Sequence, residues 1–168
     1  MIIMRKACPK DAPLITITRH LVWKQTYRGI YPDHKLDCYD YDFHLRRDTV
    51  LMENPAHHYF LFMDGDQCVG YFSYGPYNYG QYRDFELCLN NLYILEGYKG
   101  RGLGKLAFEQ LRIFAREQGI HRFFCGCNVH NVNAQGFYRH MGGVTGNIST
   151  GHEDKSDDII HFEFYLGE

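Results

Sequence analysis

The 168-residue sequence has almost no excess charge: 18 lysines and arginines stand against 20 acidic residues, a formal net charge of −2. That balance excludes a broad basic face for a phosphate backbone or an anionic bilayer, so neither nucleic acid nor a membrane surface is an expected partner. Long apolar runs are missing as well. Met1 to Lys6 contains a short one, but no charged segment precedes it, no small-residue cleavage site follows, and no later stretch approaches a membrane-spanning length. The chain is expected to be soluble, unsecreted and cytoplasmic. Dense cysteine spacing is also absent. Cys8, Cys38, Cys68, Cys88, Cys125 and Cys127 are scattered mostly through apolar stretches, which fits reduced thiols and not a disulfide scaffold. Cys125 and Cys127 lie near His130, a grouping with a metal-binding alternative. Alternate residues on a strand share one face, however, and small thiols are common in cores, so no metal is expected. The ten histidines form no other ligand spacing, and there is no internal repeat, low-complexity tract or interdomain linker.

What is present is a 45% apolar chain, enough to bury one core at the usual size of one domain, here residues 1–168. A first strand is predicted over residues 2–6. Asp11 is placed to cap a helix carrying Leu14, Ile15, Ile17, Leu21 and Val22 and reaching Tyr27; a second helix is predicted from Leu36 to Glu53, ended by Asn54-Pro55. Two aromatic and β-branched runs, 59–63 and 68–74, flank Asp64-Gly65 as a hairpin. A tyrosine-bearing loop follows, then a long strand over 84–94. Leu103, Leu106, Ala107, Gln110, Leu111, Phe114 and Ala115 keep the rhythm of an amphipathic helix stopped by Gly119. A buried strand over 123–129, a short helix through Phe137, Tyr138 and Met141, and strands near 144–149 and 159–166 complete the order. Hairpins on both sides of one strand–helix–strand unit argue for an α/β domain with a mixed sheet, not a doubly wound one.

The segment Gly100-Arg101-Gly102-Leu103-Gly104-Lys105 joins a strand to a helix, where free backbone N–H groups and the helix dipole favour an anion. Arg101 and Lys105 add positive charge, so a phosphate or pyrophosphate is the natural ligand. A nucleoside-triphosphate loop fails at two positions, since Lys99 stands where its first glycine belongs and Leu106 where its Ser or Thr belongs. Gly102, Gly104 and Ala107 do spell the dinucleotide pattern G-x-G-x-x-A, but mid-chain, after hairpin strands, with no acidic residue ending the next strand. A turn that merely joins strand to helix is the plain alternative.

The run from Leu92 to Leu106 resembles the acetyl-CoA motif of the GNAT superfamily of N-acetyltransferases. Its signature, Gln or Arg, two residues, Gly, one residue, Gly or Ala, falls on Lys99, Gly102 and Gly104, with lysine as a conservative departure. Asn131-x-x-Ala134-x-x-Phe137-Tyr138-x-x-x-Gly142 resembles a second element of that family in the right order, and Trp23 to Pro32 resembles a subset of these enzymes. Gly143 stands where the family usually has Phe. The resemblance implies a single-domain fold with a mixed, largely antiparallel sheet of about seven strands flanked by helices. It also implies acetyl transfer from acetyl-CoA to an amine of a small molecule or peptide by direct attack, with no metal. Homodimers are common in the superfamily.

By that resemblance the backbone of Tyr93 and Ile94, with Leu92, holds the pantetheine, while residues from Lys99 to Lys105 hold the pyrophosphate and Asn131 and Ala134 approach the cofactor. Leu92 and Ile94 can also be core, and Asn131 a helix cap. Tyr138 becomes the candidate proton donor to the departing thiolate and also touches the cofactor. Relatives commonly carry Glu on the central strand at the position matching Cys88; here Glu86 lies two residues earlier, on the same face by alternation, and is the candidate base or attractor of an ammonium. Cys88 itself lacks a neighbouring base to make it a nucleophile. Tyr27, Tyr31, Tyr74, Tyr77 and Tyr79 are candidates for an aromatic acceptor wall. A non-catalytic acyl-CoA-binding sensor on the same fold is the alternative raised by the missing Glu, and a dinucleotide-dependent oxidoreductase is a third reading.

Overall fold

Seven strands form one open sheet in the computed structural model, which describes residues 1–77 and 80–167. In chain order the elements are β1 (Ile2–Lys6), α1 (Ala12–Tyr27), α2 (Asp33–Asp37), α3 (Tyr41–Glu53), β2 (His58–Asp64), β3 (Gln67–Gly75), β4 (Cys88–Ile94), α4 (Leu103–Glu117), β5 (Arg122–Asn128), α5 (Val132–His140), β6 (Val144–Ser149) and β7 (Ile159–Tyr165). The sheet order is β1-β2-β3-β4-β5-β7-β6, and every neighbouring pair is antiparallel except β4 with β5. A parallel pair needs a crossover, and the amphipathic α4 supplies it. The mixed, largely antiparallel α/β sheet expected from the sequence is therefore the one observed.

Each sheet face takes its own helices. Leu103, Ala107, Phe108, Leu111 and Ala115, one stripe of α4, bury against Phe72, Leu89, Phe123, Phe162 and Phe164. The opposite face buries Tyr59, Leu61, Met63 and Tyr71 under Ile15 of α1, with Leu51 and Met52 of α3 alongside. Between α1 and α3 lies a buried bidentate ion pair: Arg19 donates to both Asp48 oxygens at 2.7 and 2.9 Å, and both side chains are 1% exposed.

Three local expectations change. The helix predicted over 36–53 is two helices, because the chain leaves α2 at Cys38 and Asp40 starts a new one by accepting the Phe43 N–H at 3.0 Å. Asp11 precedes α1 but does not cap it with its side chain; its carboxylate takes both Arg5 nitrogens at 2.8 and 2.9 Å and the Cys8 N–H. The strand predicted from residue 84 begins at Cys88. Tyr82 and Phe85 turn the preceding segment over the sheet, with the Tyr82 ring stacked on Phe124 at 4.3 Å, so 80–87 cover that face and do not extend the strand.

Candidate active site

The parallel pair at the centre of the sheet is incomplete. Cys88 pairs with Phe124 and Leu89 with Cys125, and beyond them β4 and β5 diverge. From Asn90 onward the β5-facing edge of β4 therefore carries backbone groups with no strand partner, in a protein interior where such groups normally find one. On its other edge β4 carries a bulge. Ser73 pairs with Asn91 and Tyr74 with Leu89, so Asn90 is the extra residue, placed where the strands part. The Asn91 side chain donates to Ser73 Oγ at 2.7 Å.

The divergence opens a cleft of about 620 Å³, within the size range of small-molecule sites. At one mouth lies the glycine turn. Gly100 and Gly102 have φ of +74° and +82°, left-handed values natural to glycine, and Gly102 is the residue from which α4 starts. The first-turn N–H groups of α4 lack intrahelical acceptors and stand at the positive end of the helix dipole. Lys99 and Lys105 line the cleft here, Lys99 also holding Glu96 at 2.6 Å. Gly104 matters for a different reason. A Cβ there would come within 2.7 Å of the Phe137 ring, so its missing side chain lets α5 pack against α4.

α5 forms the next wall. Asn131 caps it, its Oδ1 accepting the Ala134 N–H at 3.1 Å, while its Nδ2 donates to the Tyr27 hydroxyl at 3.3 Å. Tyr138, whose ring packs near Phe108 and Phe162, presents its 6%-exposed side chain to the cleft; burial holds its phenol far above the usual value, hence protonated. From the other sheet face come Tyr27 and Tyr31, their rings stacked at 4.0 Å, and Tyr93, whose hydroxyl accepts the Trp23 indole N–H at 3.2 Å. Burial raises the phenols of Tyr27 and Tyr31, and pushes the Cys127 thiol, also in the cleft, up to about 12. Tyr27, Tyr31, Cys127 and Tyr138 are thus all neutral near pH 7.

A model of the acetyltransferase (GNAT) family matches residues 20–142. The chain belongs to that family. No curated protein matches it closely enough to count as a relative. Among solved structures, a Thermus thermophilus acetyltransferase is 23% identical over 99% of this chain and 97% of its own, with a TM-score of 0.73. The PaiA N-acetyltransferase of Thermoplasma acidophilum, in complex with coenzyme A, is 18% identical over 98% and 99%, with a TM-score of 0.73. A Salmonella typhimurium protein, yncA, solved with its cofactor acetyl-CoA, is 18% identical over 99% and 95%, with a TM-score of 0.70.

In this GNAT domain the residues singled out in the sequence separate into those that meet and those that do not. Leu92, Tyr93, Ile94, Lys99, Gly100, Gly102, Leu103, Gly104 and Lys105 line one cleft with Asn131, Ala134, Tyr138, Tyr27 and Tyr31. Arg101 does not; its guanidinium lies over the Tyr98 ring at 4.7 Å. Glu86 does not either. It is exposed in the bend ahead of β4, because the strand starts at Cys88, four residues later than predicted. Cys88 lies at the closed end of the split, in a cluster with Tyr82, Phe85 and Phe124, and burial in that apolar setting raises its thiol. Tyr74 points to the α4 face and packs on Phe114, and Tyr77 lies near Phe124, both off the cleft. Tyr79 falls outside the described residues. Asn90, Gly126, Cys127 and Asn128 line the cleft without having been singled out for it. The Asn90-Asn91 pair, polar in an otherwise apolar strand, was the available signal for the bulge.

Proposed function

We propose that this protein transfers acetyl from acetyl-CoA to the nitrogen of a small amine or peptide amine. The single observation that carries this reading is the split between β4 and β5, which leads the unpaired β4 backbone from the glycine turn at α4 to Tyr138 in one continuous cleft. The cleft fits coenzyme A by its chemistry: helix N-terminal amides, Lys99 and Lys105 suit a pyrophosphate, and a free strand edge suits the amides of pantetheine. Bound there, acetyl-CoA would supply a thioester carbon open to attack by an amine. Of the two candidate backbone donors, Tyr93 and Ile94, the Ile94 N–H is the one suited to polarise its carbonyl, because neighbouring strand amides face opposite edges and the Leu95 N–H donates to Val69 on β3, which puts the Tyr93 N–H on that paired edge too. Tyr138, kept protonated by burial, is suited to give a proton to the departing sulfur.

The test is thiol release from acetyl-CoA with a broad panel of amines, with the products identified by mass spectrometry. Amine-dependent release with N-acetyl products is expected. Tight acetyl-CoA binding without turnover would favour a sensor instead, a reading favoured by the lack of any Asp or Glu among the described residues that line the cleft.

A further inference from the structure

Among the described residues, none that lines the cleft carries a carboxylate. Transferring acetyl to an alkyl ammonium requires that a proton be removed before attack, and holding that ammonium out of water requires a counter-charge. Among the described residues, the titratable groups that line the cleft are Tyr27 and Tyr31 from the α1 side, Tyr93 on β4, Tyr98 and Lys99 after it, Lys105 on α4, Cys127 on β5, and Tyr138 and His140 on α5. Burial holds the phenols of Tyr27, Tyr31 and Tyr138 and the thiol of Cys127 neutral, and both lysines stand at the glycine turn. His140 belongs to the α5 turn that follows Phe137, which packs on Gly104, and so sits on the α4 side. An adjoining hollow of about 250 Å³ holds Glu96 and His130, neither of which lines the cleft itself; Lys99 holds Glu96 at 2.6 Å, and His130 Nε2 lies 3.3 Å from Asp158. Asp154, on the loop beside α2, is bound by Lys35 at 2.6 Å. Each of these acids is already matched to a basic partner.

What the acceptor end offers instead is aromatic surface. Tyr27 and Tyr31 stack on one another, the Trp23 ring meets Tyr31 edge-on at 5.6 Å, and the Trp23–Tyr93 and Asn131–Tyr27 hydrogen bonds fix two of these phenols in place. One face of each stacked tyrosine is covered by the other, which halves the π-surface left for a cation.

Resting on the acetyl-transfer reading above, we propose that the acceptor is an aromatic amine that arrives uncharged, an arylamine and not an alkyl ammonium. Its nitrogen bonds the acetyl carbon and the carbon–sulfur bond breaks. The sulfur takes a proton from Tyr138 and the nitrogen gives one up to water, from which Tyr138 is restored, so that amine and acetyl-CoA become amide and free thiol. An amine that titrates near the lysine value of about 10.4 is neutral in roughly one molecule in 2,500 at pH 7, whereas an arylamine is almost wholly neutral.

Aniline and benzylamine, nearly equal in shape, test this in one competing mixture with acetyl-CoA. Trp23, the sole tryptophan, reports acceptor binding by its fluorescence independently of turnover. Acetanilide is expected in excess by about 100-fold or more near pH 7, with the benzylamine rate rising about tenfold per pH unit while the aniline rate stays flat. Aniline should quench Trp23 saturably, and Tyr31→Ala should weaken that quenching about tenfold while leaving coenzyme A binding intact. Benzylamine acetylated as fast as aniline at pH 7 would overturn the inference and leave the transferase reading standing. Thiol release with neither, nor with any amine of a wider panel, would overturn the transferase reading and this inference with it.

Discussion

The two mouths of the cleft are built by opposite means. The mouth we assign to coenzyme A is backbone: two glycines in left-handed conformation, the first turn of α4, and the unpaired edge of β4, all within one continuous stretch of chain. The mouth we assign to the acceptor is side chain: Tyr27 and Tyr31 from the end of α1, Tyr93 from β4, and Asn131 from the start of α5, joined by hydrogen bonds between residues 70 and 104 apart in sequence. A backbone site holds one ligand across many sequences, because side chains there can change without loss of the contacts. A side-chain site changes its ligand with each substitution.

The contrast predicts different failures. The acceptor mouth depends on α1 holding its place against α3, and Asp48→Ala would leave Arg19 charged and unpaired where it is 1% exposed. The expected loss is about 3–5 kcal/mol in urea unfolding, with Arg19→Met plus Asp48→Leu losing far less. If Asp48→Ala unfolds like the parent protein, the ion pair is not what anchors that wall. Tyr138→Phe comes next: kcat is expected to fall about 100-fold, equivalent to about 2.7 kcal/mol, with coenzyme A affinity within about twofold. An unchanged kcat in steady-state thiol release would remove Tyr138 from proton transfer. Gly104→Ala acts on the coenzyme mouth through packing. Its Cβ meets the Phe137 ring at 2.7 Å, and the strain, about 1–3 kcal/mol, is expected to outweigh the helix propensity gained, about 1 kcal/mol. Adding Phe137→Leu should recover part of the loss, whereas a more stable single variant would show that close approach is not the reason for glycine there.

The same contrast explains what could be read before the fold was known. The glycine turn and α4 are local, so spacing located them, and the hairpin of β2 and β3 followed from its aromatic and β-branched runs and the Asp64-Gly65 turn. Register is not local. Alternation put Glu86 on the strand face of Cys88, but Tyr82 and Phe85 turn the preceding chain over the sheet, Tyr82 stacked on Phe124, and the strand begins only at Cys88. Likewise nothing in spacing distinguishes Tyr31, which faces the cleft, from Tyr74, which faces α4; only the pairing of β3 and the path of α1 decide it.

Asn131 is where the two mouths meet, and it offers the finest test of their independence. Its Oδ1 caps α5 through the Ala134 N–H and its Nδ2 holds the Tyr27 hydroxyl. Asn131→Asp keeps a good capping acceptor and removes only the donor to Tyr27, so stability should change by less than about 1 kcal/mol. The acceptor KM is expected to rise a few-fold, with coenzyme A affinity held. Asn131→Ala removes both contacts and should cost about 1 kcal/mol of stability as well. If Asp and Ala weaken coenzyme A binding equally, Asn131 serves the coenzyme mouth through its amide, and the separation of a backbone site from a side-chain site fails at this residue. If Asp alters the acceptor alone, the side-chain network of α1 and β4 reaches α5 through that one hydrogen bond.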